Sequence, residues 1–389
     1  MKKPSKSALD KYGVTIFTEI NRLAAQYDAL SLSQGYPDFD GPDFIKEEAA
    51  RAMKAGKNQY APSHGIPELR KAIAGKVERC YGLKADPDAE VTVFSGATEA
   101  IFSSIMALVE PGDEVVMLEP YYDSYPPSTE MAGGVPKYVP LSFPDFTLDR
   151  RSLSAVMSPR TKLIVLNTPM NPTGKVYSLE ELQAIASAAQ EFDAYVLSDE
   201  VYEHLTFEGE RHIPIATLPG MWERTITVSS TAKTFSMTGW KIGWAVAPEP
   251  LSKAIRMSHQ FVTFCTATPL QHAMASALTA ADSYFEEFRK AYSERRRVLV
   301  GYLEKAGFRV KRPAGTYFVL ADFSPFGFDD DFEFCRFLMK EVKVAAIPVS
   351  SFYNERSGGR SLVRFAFCKK LEFLEEGGAR LLRLQEVRP

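Results

Sequence analysis

Cysteine is scarce in this sequence, and its four residues, Cys80, Cys265, Cys335 and Cys368, stand far apart without a C-x-x-C pair. That usage argues against a disulfide framework and leads to the expectation of free thiols in a reducing cytoplasm. No run approaches the roughly 18 apolar residues that a membrane span needs. The opening MKKPSKSALDKYG is basic but has no apolar stretch behind it, so it does not read as a secretory signal. No long basic run occurs, which leaves nucleic acid and anionic membrane surfaces without a binding feature. The one Asn-x-Thr string, Asn171-Pro172-Thr173, is blocked as a glycan acceptor by its proline. Neither G-x-G-x-x-G nor G-x-x-x-x-G-K-[ST] is present, so a dinucleotide fingerprint and a P-loop are both absent. The five histidines show no metal-type spacing such as H-E-x-x-H and receive no role. There is no internal repeat.

What remains is an ordinary globular composition. The 389 residues are 45% hydrophobic and 24% charged, with a formal net charge of −3, enough apolar material for a sizeable core and for two or three domains. Short, almost wholly apolar runs at 91–94, 114–118, 162–166, 194–197, 225–228 and 242–247 alternate with helical patterns. Such runs suit strands buried on both faces of a largely parallel sheet. Helices are expected at 98–109, at 179–190 behind the Ser178/Glu181 capping box, and over a long charged stretch, 282–305. Beyond it, strands at 308–310, 317–321, 344–347 and 362–367 and helices at 330–340 and 370–384 predict a smaller α+β domain.

In open α/β sheets ligands gather beyond the carboxyl ends of the strands. The loops there hold unusual groups. Ser95-Gly96-Ala97-Thr98 opens a helix and reads either as a tight capped turn or as an anion site. Tyr121 and Tyr122 offer an aromatic face. Asn171-Pro172-Thr173-Gly174 sets an amide at a turn. Asp199 ends an apolar strand, as a helix cap or as the partner of a buried cation, with Tyr202 one turn on. Lys233 follows a serine- and threonine-rich turn. A single lysine is ordinarily a solvated charge, but a lowered pKa makes it a nucleophile. Ser230 and Lys241 flank it. Together these groups meet the needs of pyridoxal phosphate (PLP): an amine for the aldehyde, an acid for the pyridine nitrogen, donors for the ring hydroxyl, and N–H groups, a hydroxyl and a cation for the phosphate.

The strings SLSQGYPDFDGP (31–42), NQYAPSHGIPELR (58–70), SGATEA (95–100), EPYYDSY (119–125), NTPMNPTGKVY (167–177), SDEVYEHL (198–205), SSTAKTFSMTGWKIGW (229–244), PAGTYF (313–318) and LVRFAF (362–367) occur in one order. In that order they resemble the class I/II aminotransferases of the aspartate aminotransferase type, from about Ile16 to Arg388. The resemblance implies an α/β PLP-dependent transferase fold, with a mostly parallel sheet between helices and a smaller α+β domain, divided as an N-terminal arm that also forms part of the small domain (1–45), a large PLP-binding domain (46–284) and a small C-terminal domain (285–389). It implies that Lys233 is the Schiff-base lysine and proton carrier. Asp199 matches the carboxylate on the ring nitrogen, Tyr202 and Asn171 the pair on the ring hydroxyl, and Tyr122 the stacking ring. Ala97, Thr98, Ser230 and Lys241 match phosphate contacts, although the aspartate branch carries arginine where this chain has Lys241. Arg364, with Gly35 and Asn171, matches the grip on the substrate α-carboxylate. Tyr60 matches a tyrosine that reaches the neighbouring subunit's phosphate, which implies a homodimer with shared sites.

Within the family, QGYPDF, EPYYDSY and FVTFCTATPLQ (261–271) resemble the branch of kynurenine aminotransferase, glutamine transaminase K and methionine aminotransferase. The stretch 257–288 contains no Lys or Arg and offers Phe261 and Phe264, so apolar, aromatic, methionine, glutamine or kynurenine-like donors are expected, with an aspartate-type specificity as the alternative. Carbon–sulfur β-lyase chemistry on the same scaffold is a second alternative. The string Ser230-Thr231-Ala232-Lys233 also fits the S-x-x-K of serine hydrolases, but their S-D-N and K-T-G partners are missing. A ligand-binding regulator on this fold usually carries a fused DNA-binding domain, for which the match leaves no room.

Overall fold

The computed structural model describes residues 7–279 and 282–387. Positions 1–6 of the expected arm, 280–281 of the expected large domain and 388–389 of the expected small domain, Arg388 included, lie outside the described residues. In chain order the strands are β1 (Leu30–Ser31), β2 (Val91–Phe94), β3 (Glu114–Glu119), β4 (Val135–Pro140), β5 (Thr161–Asn167), β6 (Tyr195–Asp199), β7 (Thr225–Ser230), β8 (Gly243–Val246), β9 (Arg309–Val310), β10 (Phe318–Asp322), β11 (Val344–Ala345), β12 (Ile347–Pro348) and β13 (Leu362–Ala366).

The central sheet has the order β2-β8-β7-β6-β5-β3-β4. Only β8 runs antiparallel to its neighbours; β3 to β7 are parallel. Alternation along the strands explains why the runs are apolar throughout. Val115, Met117, Leu163, Val165 and Leu197 point into one core, against the helices Ala97–Leu108 and Glu249–Val262. Val116, Leu118, Ile164, Leu166 and Val196 point into another, against the helix Leu179–Glu191. The predicted strands of this sheet stand within a residue or two of those found. β4 was not foreseen: it is an edge strand carrying Pro136 and Pro140, with Val135 42% exposed, so it lacks the continuous apolar signal.

The C-terminal part carries an antiparallel sheet of order β12-β13-β10-β9, packed beneath the long helix Asp282–Ala306 and the helix Leu371–Leu381. The expected strand 344–347 is corrected to two short ones in different sheets: β11 pairs with β1 in parallel (Leu30 beside Val344), whereas β12 pairs with β13. The chain turns between them at Ala346, a switch of sheet that a uniformly apolar run cannot reveal.

Candidate active site

The carboxyl ends of the parallel strands place Asn167 (β5), Asp199 (β6) and Ser230 (β7) around one cleft of ≈ 260 Å³. Gly35, Ala97, Thr98, Tyr122, Asn171, Tyr202, Lys233, Lys241 and Arg364 line the same cleft. Phe261 and Phe264 of the expected side-chain wall stand away from it, and of the nominated cofactor and substrate residues so does Tyr60 alone. Its ring is 84% exposed and meets Phe264 edge-on at 5.4 Å.

Lys233 lies in a short helical turn, Thr231–Thr234, directly after β7. Its amine has no hydrogen-bond acceptor among the described residues and stands 5.9 Å from the Tyr202 ring centre and 5.8 Å from that of Tyr317. Burial lowers its pKa to about 8, with Cys368 and Asp199 opposing and Lys241 and Arg364 assisting. A sizeable fraction of the amine is therefore unprotonated near neutral pH, the form that attacks a carbonyl.

Asp199 is buried at the end of β6. Tyr125 donates to its Oδ2 at 2.7 Å and the Val201 amide to its Oδ1 at 3.4 Å, so the carboxylate caps the following turn as well as facing the cleft. Burial raises its pKa to about 6 against these hydrogen bonds. Asn167 was not assigned a role from sequence, yet it ties the floor together: its Nδ2 donates to the Asp199 carbonyl at 2.9 Å and its Oδ1 accepts from the Asn171 amide at 2.7 Å.

The folded state binds a proton at Asp199 more readily than the unfolded chain, whose aspartates titrate near 3.9. This group's contribution to stability is therefore complete below about pH 4 and is lost as pH rises through about 6. Between pH 5 and 7, the unfolding free energy of cofactor-free Asp199→Asn should fall by about 1 kcal/mol less than that of the wild type. Urea denaturation measures it, and parallel pH dependences would contradict the assignment.

The phosphate-type site is a helix start. Gly96 adopts φ 83° just before the helix Ala97–Leu108, and the amides of Ala97 and Thr98 have no acceptor among the described residues, as the first turn of a helix requires. A Cβ at Gly96 would come within 3.0 Å of Lys241 Cε and 3.1 Å of its Nζ. Lys241 in turn approaches Thr98 Oγ1 at 3.5 Å. The turn is held from behind by Glu99, which accepts from the Ser95 amide at 2.5 Å and meets His259 Nδ1 at 2.6 Å; His259 Nε2 donates to the Ser63 carbonyl at 2.8 Å. His259 thus acts in packing, and its 160-residue separation from Glu99 hid the pair from sequence reading.

Opposite, Arg364 sits on β13 with 1% of its surface exposed. Its Nη1 donates to Asn171 Oδ1 at 3.0 Å and its Nη2 to the Ser33 carbonyl at 2.9 Å. Phe318 covers its face at 4.1 Å. Its Nε has no partner, and no carboxylate lies within ion-pair distance of it among the described residues. Burial lowers its pKa to about 10. A buried guanidinium without a counter-ion is unfavourable unless a ligand supplies the charge.

The comparisons with known proteins agree with this geometry. Residues 27–376 match the family model "Aminotransferase class I and II". The chain belongs to this family. It is 45% identical to a probable N-succinyldiaminopimelate aminotransferase of Mycobacterium tuberculosis over 98% of both chains, and the solved structure of that enzyme superposes with a TM-score of 0.95. A methionine aminotransferase of Escherichia coli is 42% identical over 97% of this chain and 98% of its own, with a TM-score of 0.94 for its structure. Mouse kynurenine–oxoglutarate transaminase 3 is 40% identical over 91% of this chain and 84% of its own. This aminotransferase therefore has the aspartate aminotransferase fold and depends on pyridoxal phosphate to move an amino group between an amino acid and a 2-oxo acid. The cleft fits that cofactor: it offers an unengaged amine, a buried carboxylate, and an anion cradle that a side chain at position 96 would fill. No helix among the described residues is long and apolar enough to cross a membrane.

Proposed function

We propose that Lys233 holds the cofactor covalently and carries the proton to and from the substrate's α-carbon. Asp199 faces the ring nitrogen, Tyr202 and Asn171 hold the ring hydroxyl, and Tyr122 covers the ring. Ala97, Thr98, Ser230 and Lys241 hold the phosphate. Arg364, with Gly35 and Asn171, grips the α-carboxylate. When bound, the cofactor supplies a ring that accepts the electrons released at the α-carbon. The observation that carries this reading is the solitary, buried Arg364 in the same cleft as the unengaged Lys233 amine: one seeks a carboxylate, the other a carbonyl carbon. One cleft then serves both half-reactions, so ping-pong kinetics are expected. The division into 1–45, 46–284 and 285–389 belongs to the same proposal, as does a cytoplasmic location on the cysteine usage.

The site is completed by a second copy. Phe261 (87% exposed), Met257, Val262 and Phe264 form an apolar surface with Tyr60, a patch that a monomer rarely leaves open. In a homodimer it would bring Tyr60 to the partner's phosphate and Phe264 to the partner's side-chain pocket. That wall has no cation, which supports apolar, aromatic, methionine, glutamine or kynurenine-like donors over aspartate. The M. tuberculosis relative argues for adding a polycarboxylic substrate to the comparison. A donor-by-acceptor matrix with methionine, phenylalanine, kynurenine, glutamine, aspartate and N-succinyldiaminopimelate tests the range. Kcat/KM for the neutral donors should exceed that for aspartate by about 10-fold or more; preference for aspartate defeats the proposal. Ammonia release from a cysteine conjugate without any keto acid would favour β-lyase chemistry instead.

A further inference from the structure

The segment at 32–36 is fastened carbonyl by carbonyl. Leu32 O accepts from the Ala366 amide at 2.7 Å, Ser33 O from Arg364 at 2.9 Å, and Gln34 O from Cys368 Sγ at 3.7 Å. Gly35 O accepts from Tyr317 Oη at 2.6 Å, and Tyr36 O from Lys369 Nζ at 2.8 Å. The N–H groups show the opposite pattern. Those of Ser33, Gln34, Gly35 and Tyr36 have no acceptor among the described residues, and Gln34, Gly35 and Tyr36 line the cleft beside Arg364. Pinned carbonyls and unclaimed amides make an anion-binding edge.

Lys369 is the unusual member of this set. It is 4% exposed, with no carboxylate in ion-pair distance among the described residues. Its ammonium donates to Tyr36 O and lies 4.7 Å from the Tyr36 ring centre. A buried ammonium stabilised only by a carbonyl and a ring face adds little to stability, so its position calls for another explanation. We propose that Lys369 is a positioning residue for substrate binding: by clamping the Tyr36 carbonyl, whose peptide plane ends in Pro37 and carries no N–H, it anchors the far end of the 33–36 segment and so keeps the amides of Gly35 and its neighbours facing the α-carboxylate gripped by Arg364. This rests on the carboxylate role given to Arg364 above.

The test uses the holoenzyme and, as probe, the carboxylic acid that lacks the amino group of the best donor found in the matrix, titrated calorimetrically. Lys369→Met should weaken the probe and raise the donor KM by about 10-fold with kcat within about 3-fold of wild type, and Lys369→Arg should restore both. The cofactor absorbance should not move. Unchanged probe binding in Lys369→Met, a loss falling on kcat, or failure of Lys369→Arg to rescue overturns the proposal. Lys369→Gln answers the same question should the Met variant not fold. Arg364→Leu separates the two readings: if it binds the probe as wild type does, the carboxylate role itself is wrong, whereas weakening there with no effect at Lys369 refutes only the positioning role.

Discussion

Lys233→Ala is expected to reduce transamination by about 10⁴-fold or more, because it removes both a covalent anchor and the group that moves the proton. The fold should survive, since the side chain points into a cleft and forms no hydrogen bond among the described residues. The cofactor should still bind, more weakly, through Asp199 and the Ala97 helix start. Lys233→Arg is the sharper variant: it keeps a cation, but one that stays protonated and cannot act as a base near neutrality. Stopped-flow and steady-state assays with the best donor measure both. Turnover within about 100-fold of wild type in either variant would show that another group carries the proton.

The second large effect concerns stability. Lys76 and Glu203 form an ion pair with side chains 2% and 3% exposed. Tyr81 donates to Glu203 Oε2 at 2.5 Å and Ser229 to its Oε1 at 2.6 Å. Lys76→Met leaves a buried carboxylate without its cation and should cost about 3–5 kcal/mol, which lowers Tm by roughly 10 °C for a domain of this size. Glu203 lies beside Tyr202, and Ser229 beside Ser230, so the loss should also loosen the cofactor. The double variant Lys76→Met/Glu203→Gln removes the stranded charge and should regain a good part of the stability. Thermal denaturation decides: a Lys76→Met variant with the Tm of the wild type would mean the pair contributes little, and single and double variants of equal Tm would mean that the stranded charge is not the cause of the loss.

Much of this site was legible because its residues sit in short strings at strand ends, where composition departs from what a loop needs. Lys233, Asp199 and Asn171 were found that way and Arg364 through the family resemblance of LVRFAF, and the structure gathers these four with seven of the other nominated residues around one cleft. Partners joined across long separations were not legible. Tyr125 lies in the EPYYDSY string but looked like another aromatic; only the fold brings its hydroxyl to Asp199, 74 residues away. Glu99 and His259, and Ser33 and Arg364, are likewise pairs that tertiary structure creates. At the level of the fold, continuous apolar runs marked the interior strands, whereas the half-exposed edge strand β4 and the split of 344–347 into β11 and β12 depend on neighbours that no local pattern encodes.

The pairing of β1 with β11 bears on how the protein is made. A nascent chain presents Leu30 and Ser31 to the solvent more than three hundred residues before Val344 and Ala345 exist to receive them. The cofactor-holding half can assemble while synthesis continues, but the carbonyls at 32–36 gain most of their fastenings only once residues 364–369 have left the ribosome. Competence for substrate is thus the last thing such a chain acquires.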